Sequence, residues 1–502
     1  MSSKPPWAVH LPPGLAPGDV DLLEGGSLVG AWSRRWADDL EKPVLHDPRI
    51  GWVSAGELED RSRLVAGRLQ AAGLHHGDRL LLSAEPSVQL VVVYVAALRL
   101  GVVVVPVNSA YRRREIAHIV GDARPAGAVV DDDERAAWVT EASAGPITVV
   151  GPSVELPDGP ADVLDAATSD DLALIAYTSG TTGAPKGAML THGNLLASAH
   201  AVRLAWRWTP ADRLVLALPL FHLHGLGVGI NGTLVTGASA VVLPRFDVDA
   251  VLDAAAEHEA TMFFGVPTMY RRLASSPRLE ELARLRLCVS GSAPLAAELH
   301  AVIANGGDQV VLERYGMTET VMNVSNPYDG ERRPGSVGLP LPGVEVRLDG
   351  SPGEILLKGP NIFPGYWERP DATASAFDGD GWFRSGDIGS LDDDGYLRIV
   401  GRSKELIISG GYNVYPREVE DVLREHPDVA DVAVVGTPSE EWGEVVTAYV
   451  VPDGPEDVGA LTAFATERLA AYKRPRLVHY VAELPRNALG KVLKHELGTW
   501  RR

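Results

Sequence analysis

The most apolar stretch of the chain, Leu90 to Val107, restricts the fold more than any other feature. A run of about this length can span a membrane, but Arg99, Gly101 and Pro106 interrupt it. It reads instead as a buried helix ending near Leu100, followed by a buried strand from Val102. A helix and a strand that are both apolar on every side need cover on both faces, as in parallel βαβ layers. The flanking sequence repeats the alternation. Ala55–Ala72 has the pattern of an amphipathic helix, Arg79–Ser83 of a strand, Arg113–Asp122 of a helix and Gly127–Val130 of a short strand. Strand patterns return at Arg213–Ala217, Ala240–Leu243, Thr261–Phe264 and Leu285–Val289, separated by long crossovers.

The character changes after about residue 335. Val344–Leu348 and Gly353–Lys358 read as strands with short turns, and Asp392–Gly395 as a hairpin turn entering the strand Tyr396–Val400. Pro416–Glu425 and Val458–Leu469 read as helices, and Val429–Val435 and Glu444–Val451 as strands. The fold class expected is therefore a large N-terminal α/β domain with layered sheets and helices, plus a small α+β C-terminal domain. At roughly 150 residues per domain, 502 residues accommodate both. The Pro-rich residues 1–25 read as a loose lead-in. They lack the apolar core of a secretory signal, so a cytoplasmic location is expected.

Charge and cysteine content narrow the function. Lys and Arg total 46 against 66 Asp and Glu, a net charge of −20, which disfavours a general nucleic-acid or anionic-membrane surface. The lone cysteine, Cys288, excludes a disulfide scaffold and a multi-cysteine zinc site.

The segment Tyr177–Gly187 carries the chemistry. It follows the apolar strand Leu172–Ala176 and reads Tyr-Thr-Ser-Gly-Thr-Thr-Gly-Ala-Pro-Lys-Gly. Glycines let backbone N–H groups approach a phosphate, hydroxyls add donors, and the lysine adds charge. Pro185 before the lysine and Gly187 after it distinguish the segment from a Walker A loop.

The segment resembles the phosphate loop of adenylate-forming enzymes, the superfamily of acyl-CoA synthetases, adenylation domains and luciferases. Further matches follow in the family's order: Leu218–His222, Ser290–Pro294, Arg314–Thr320, Trp382–Asp387, Gly395–Leu397 through Gly401-Arg402, Ser409–Val414 and Pro485–Lys491. The resemblance covers nearly the whole chain. It implies a two-step reaction in which a carboxylate attacks the α-phosphate of MgATP, and a thiol then displaces AMP from the acyl-adenylate. An anion must approach an anion, so cations and oriented donors must offset the repulsion, with a divalent metal supplying part of this.

The resemblance also implies residue roles. Thr178, Ser179, Gly180, Thr181, Thr182, Gly183 and Lys186 correspond to the loop holding the β- and γ-phosphates. Thr318 corresponds to the α-phosphate contact, and Glu319 to the Mg²⁺ ligand, with Thr181 beside the metal. Gly291, Ser292, Ala293, Arg314, Tyr315, Gly316 and Met317 correspond to the nucleotide pocket. Asp387, Ile399 and Arg402 correspond to the ribose contacts, and Lys491 to the catalytic lysine between carboxylate and α-phosphate. His222 corresponds to an aromatic residue near the reacting carboxylate, and His224 to a lining of the acyl pocket.

The implied domains are 26–401 for ATP and the acid, a hinge at 402–404 including Lys404, and a mobile domain over 405–502. Rotation about the hinge would exchange Lys491 for Ser409, Gly410, Gly411 and Tyr412, whose glycines suit a narrow pantetheine channel. No further domain follows Lys491, so free coenzyme A is the expected thiol, and a monomer or homodimer the expected state. The acid is read from local matches at Phe264–Tyr270, Leu312–Asn323 and Pro334–Val344, which resemble malonyl-CoA synthetases. A malonate or methylmalonate substrate brings a second carboxylate, which burial obliges to pair with a cation or several donors. Arg245, Arg286 and the Arg271-Arg272 pair are the candidate cations, with Ser290 and His222 as donors and Met322 lining the pocket. Pro294, where malonate-specific relatives have Ala, weakens that match. The alternatives are a medium- or long-chain fatty acid–CoA ligase and a carrier-protein-dependent adenylation enzyme.

Overall fold

A computed structural model describes residues 4–161, 163–178, 185–409, 412–439, 441–488 and 490–497. The chain divides into two compact units, Met1–Glu345 with Leu357–Phe383, and Val346–Leu356 with Arg384–Arg502.

In the first unit the described residues form two large sheets. The nine-stranded sheet has a parallel centre built from Leu312–Tyr315, Leu287–Ser290, Met262–Gly265, Arg213–Leu216, Ser239–Val242 and Pro43–Asp47, in that order. Antiparallel strands close both of its edges. The seven-stranded sheet has Val103–Pro106 and Arg79–Ser83 at its centre, parallel to Leu172–Thr178 and Gly127–Val130. Strands buried on both faces explain the continuous Val and Leu runs.

The apolar stretch resolves as expected. Ser87 caps the helix Val88–Arg99 by accepting from the Leu90 N–H, and all of that helix but Gln89 is buried. Arg99 ends it inside the protein. Its guanidinium binds both oxygens of Asp165 at 2.9 Å and donates to Ser62 Oγ, so the buried charge is paired. Among the described residues, no helix is long and apolar enough to cross a membrane. Val215, Val241, Phe263 and Cys288 pack with Leu252, Leu273 and Ile303 from the crossover helices into one core.

The Pro-rich start is not loose. Short 3₁₀ turns cover Pro6–His10 and Pro17–Asp19. His10 is buried against the Leu339 carbonyl, and Arg207 donates to the carbonyls of His10 and Leu11. Proline at the head of each turn sets the backbone, and a distant arginine ties it down.

In the second unit, Glu345–Gly350, Gly353–Lys358, Phe383–Leu391 and Leu397–Arg402 form a four-stranded sheet. A second sheet contains Tyr412–Val414, Ile407–Ser409, Gly443–Pro452 and Val429–Ser439, with Leu477–Tyr480 joining in parallel. Val419 and Leu423 of the helix Pro416–Arg424 pack on Val432, Val434 and Val446 of that sheet.

Candidate active site

In an open α/β sheet, ligands bind beyond the carboxyl ends of the parallel strands. Four chemically distinctive segments leave that edge of the nine-stranded sheet. Leu218–His222 follows Arg213–Leu216, Val266–Thr268 follows Met262–Gly265, Gly291–Ala293 follows Leu287–Ser290, and Gly316–Thr320 follows Leu312–Tyr315.

Within the strand Leu312–Tyr315, alternation sends neighbouring side chains to opposite faces. Glu313 caps the backbone N–H groups of Leu295 and Gly335. Arg314 takes the other face and lies over Gly291, where a Cβ would stand 2.3 Å from its guanidinium carbon. That close approach is why position 291 must be glycine. Arg314 is 6 % exposed, and its Nε and Nη2 have no hydrogen-bond partner among the described residues. Burial pushes its pKa down to about 9, which Tyr270 only partly opposes.

Other buried polar groups have no partner among the described residues: both ring nitrogens of His224, and the hydroxyl of Ser290, which shares the sheet face of Glu313, its partner in register. His224 opens the π-helix His224–Ile230 and stacks on Phe264 with centroids 6.3 Å apart. Burial, then the charge of Arg314, hold its pKa well below the histidine range. The protein packed around the half-buried His222 ring pushes its pKa down to about 4, so this imidazole is neutral at ordinary pH. Met322 is buried, with its sulfur 3.0 Å from where a Gly316 Cβ would stand. Arg314 and His224 are thus a desolvated cation and a neutral imidazole with ring and guanidinium nitrogens left over among the described residues, a chemistry that suits an anion.

Arg286 is engaged elsewhere, by Asp212, which corrects its assignment as an acid-binding cation. It precedes the strand Leu287–Ser290 and so lies at the opposite end from Ser290. Its guanidinium binds both oxygens of Asp212, at 2.6 and 2.8 Å, and donates to the Trp206 and Arg207 carbonyls. Burial raises the Asp212 pKa, but Arg286 and hydrogen bonds from Thr209 and Thr261 outweigh it and hold the carboxyl ionised. Arg245 lies exposed beyond Ser239–Val242, and Arg271 and Arg272 lie exposed on the helix Pro267–Ala274, all outside the buried cluster.

Glu319 is buried at the start of the next loop. It accepts from the Tyr366 hydroxyl at 2.9 Å, and its carbonyl accepts from the Phe363 N–H. The Lys186 ammonium sits 5.2 Å from the Tyr366 ring centre, which brings Lys186 and Glu319 to one side chain. Thr318 and Met317 are half-buried beside them, and the Tyr315 hydroxyl contacts the Met317 sulfur. Among the described residues, no cluster of three or more His, Cys, Asp or Glu could cage a metal. One carboxylate oxygen donor fits Mg²⁺, which is held by one or two carboxylates together with nucleotide phosphates. Ser292 adopts φ +70°, a left-handed backbone in the loop expected to face the adenine. Thr178 lies at the end of its strand, and its hydroxyl contacts the Lys186 carbonyl at 3.4 Å. Ser179, Gly180, Thr181, Thr182 and Gly183 lie outside the described residues, as do Gly410 and Gly411.

The second unit assembles its own group. Asp387 pairs in antiparallel register with Arg402, and the two side chains form an ion pair at 3.1 Å. Burial, then the charge of Arg402, lower the Lys491 pKa, while Glu405 and Asp387 oppose the fall. The lysine loop is held by Asn487, whose side chain accepts from the Lys491 N–H at 2.9 Å and whose N–H donates to the Lys491 carbonyl. Gly490 takes φ +75°, which explains the glycine before the lysine. Lys404 is exposed in the 3₁₀ turn Ser403–Glu405, and Ile399 is half-buried in the strand before it. Ser409 is buried, and Tyr412 is exposed and stacked on Tyr472 at 4.7 Å. Arg476 lies 3.8 Å from the Trp442 ring centre. Neither pairing was apparent from the sequence, because 412 and 472, and 442 and 476, are far apart in it.

Comparison with known proteins agrees with this geometry. Residues 32–367 match the family model of the AMP-binding enzyme, and residues 418–491 match that of the AMP-binding enzyme C-terminal domain. The chain is 39% identical to a feruloyl-CoA synthase of Amycolatopsis sp, over 89% of this chain and 93% of the relative. It is 37% identical to a sulfoacetate–CoA ligase of Cupriavidus necator, over 94% of this chain and 96% of the relative. Among solved structures, ATP-bound MatB from Rhodopseudomonas palustris superposes with TM-score 0.89 at 42% identity, over 94% of this chain and 98% of that one. A malonyl-CoA ligase carrying methylmalonyl-CoA and AMP superposes with TM-score 0.67 at 41% identity, over 89% of this chain and 97% of that one. The chain belongs to the AMP-binding enzyme family and is an AMP-forming acyl-CoA ligase that uses a carboxylic acid, ATP and coenzyme A.

Proposed function

We propose that the acid is a short dicarboxylate, malonate or methylmalonate. The observation that carries this reading is Arg314, a buried guanidinium whose Nε and Nη2 have no partner among the described residues and whose charge acts on the buried His224. A buried charge is stable only when paired. A carboxylate distal to the reacting one supplies the missing anion, and the neutral His224 imidazole completes its hydrogen bonds. A fatty or aromatic acid would occupy the same space and leave the guanidinium desolvated and unpaired. The sulfoacetate and malonyl relatives, whose named acids each bear a second acidic group, support this reading.

In the first step the reacting carboxylate attacks the α-phosphorus of ATP, the bond to the β-phosphate oxygen breaks, and pyrophosphate leaves the acyl-adenylate. Lys491 supplies the cation between the two anions, and Thr318 the hydroxyl donor to the α-phosphate. Lys186 and the loop before it bind the outer phosphates, and Asp387 with Arg402 binds the ribose diol. Glu319 would hold Mg²⁺, which when bound neutralises phosphate charge. In the second step the thiol of coenzyme A attacks the acyl carbonyl and AMP leaves. The segment Ser409–Val414 lines the thiol path, and the Tyr412–Tyr472 and Trp442–Arg476 pairs suit the nucleotide end of coenzyme A. The hinge at 402–404 separates the two steps.

The test is AMP release with MgATP and coenzyme A across malonate, methylmalonate, sulfoacetate, acetate, octanoate and ferulate. Malonate or methylmalonate is expected to exceed octanoate and ferulate by about 10²-fold or more in kcat/KM, because binding either of the latter leaves buried polar groups unpaired. A preference for octanoate or ferulate would overturn the dicarboxylate assignment.

A further inference from the structure

The turn that bears Glu319 is strained. Val321 adopts φ +55°, the left-handed region, which a β-branched side chain strongly disfavours. Such a backbone persists only where its surroundings over-determine it. The restraints here come from residues 360–366. The Asn361 amide nitrogen donates to the Thr320 carbonyl at 2.8 Å and to the Met322 carbonyl at 2.9 Å, the carbonyls flanking Val321. It also contacts Asn323 Oδ1 at 3.0 Å, and Asn323 in turn donates to Thr320 Oγ1. All three neighbours of the Asn361 side chain are acceptors, so its NH₂ and not its oxygen must face them. The segment is fixed from behind by Asn194, whose amide donates to the carbonyls of Pro360 and Ile362. At its far end, Tyr366 holds the Glu319 carboxylate and Phe363 N–H holds the Glu319 carbonyl.

We propose that Asn361 and Tyr366 are positioning residues for adenylation. Asn361 clamps the turn in the conformation that Val321 would otherwise leave, and Tyr366 fixes the Glu319 carboxylate where the metal-bound nucleotide meets it. The proposal rests on the reading of Glu319 as the metal ligand. It also explains why the turn binds from both sides. Relaxation at Val321 would carry Glu319 away from the nucleotide and Met322 away from the acid pocket, since the two lie on either side of it.

The experiment is calorimetric titration of MnATP into the acid-free enzyme, with KM for MgATP and thermal midpoints measured in parallel. Asn361→Ala and Tyr366→Phe are each expected to weaken MnATP binding by about tenfold, the loss that follows one or two buried hydrogen bonds. The deciding variant is Asn361→Ala combined with Val321→Gly. Glycine tolerates the left-handed backbone without the clamp, so the double variant should bind MnATP within about threefold of the parent. A double variant as weak as Asn361→Ala alone, or Tyr366→Phe binding like the parent, overturns the proposal. Glu319→Gln is the control. If it binds MnATP normally, the metal-ligand reading itself is wrong; if it binds weakly while the positioning variants do not, only the present proposal fails. Should Asn361→Ala melt before titration, Asn361→Gln, with the amide displaced by one methylene, replaces it and the same suppression by Val321→Gly is required.

Discussion

Lys491→Ala lowers acyl-adenylate formation by about 10²–10³-fold, the scale of losing one oriented charge donor at a developing anion. Thioester formation from supplied malonyl-adenylate and coenzyme A stays within a few-fold of the parent. The half-reactions are separated by pyrophosphate release in one assay and thioester appearance in the other. The division follows from the charge problem, because only the first step joins two anions. The lysine acts as a cation, and burial with Arg402 has lowered its pKa from 10.5. The first half-reaction therefore falls as pH rises through that lowered value, and Lys491→Arg moves the fall to higher pH. Equal loss in both half-reactions would show that Lys491 does not separate the two steps.

Arg314→Met lowers kcat/KM for malonate by about 10²-fold or more, because the substrate's second carboxylate then enters an apolar pocket without a counter-charge. Propionate, which lacks that carboxylate, loses far less or gains. The same substitution leaves the thermal midpoint unchanged or raises it, since a well-packed apolar side chain in place of a buried charge is often neutral or stabilising. This combination distinguishes a substrate-binding arginine from a structural one. Arg286→Met should do the reverse, leaving the acid preference intact and costing several kcal/mol (about 3–5) of stability, because it strands the buried Asp212 carboxylate.

Much of the framework was legible in the sequence. Arg79–Ser83, Gly127–Val130 and Gly353–Lys358 fall where their apolar patterns and turn residues place them. Buried parallel strands write themselves as Val and Leu runs between helices. The choice of cation was not legible. The sequence offers Arg286 as an acid-binding cation and the family resemblance places Arg314 with the nucleotide; only the fold shows that Arg286 meets Asp212 across 74 positions while Arg314 lies buried over Gly291. The strand pattern held a partial signal, since alternation sets Arg314 opposite Glu313 and a charged residue on each face of a buried strand demands a reason. The left-handed Val321 was illegible for a different reason. Nothing in valine suggests it, and the donors that impose it stand some forty residues later, at Asn361. The packed Pro-rich start was hidden likewise, because its anchors are Arg207 and the Leu339 carbonyl.

The central claim is that a distal carboxylate is recognised by a buried cation. Comparing kcat/KM for malonate with that for its monomethyl ester isolates that group, since the reacting carboxylate and the carbon chain are the same. The structure predicts a ratio of about 10²-fold or more in favour of malonate, collapsing toward one in Arg314→Met. A ratio near one in the unaltered enzyme would contradict the account, because the second charge would then contribute nothing to recognition.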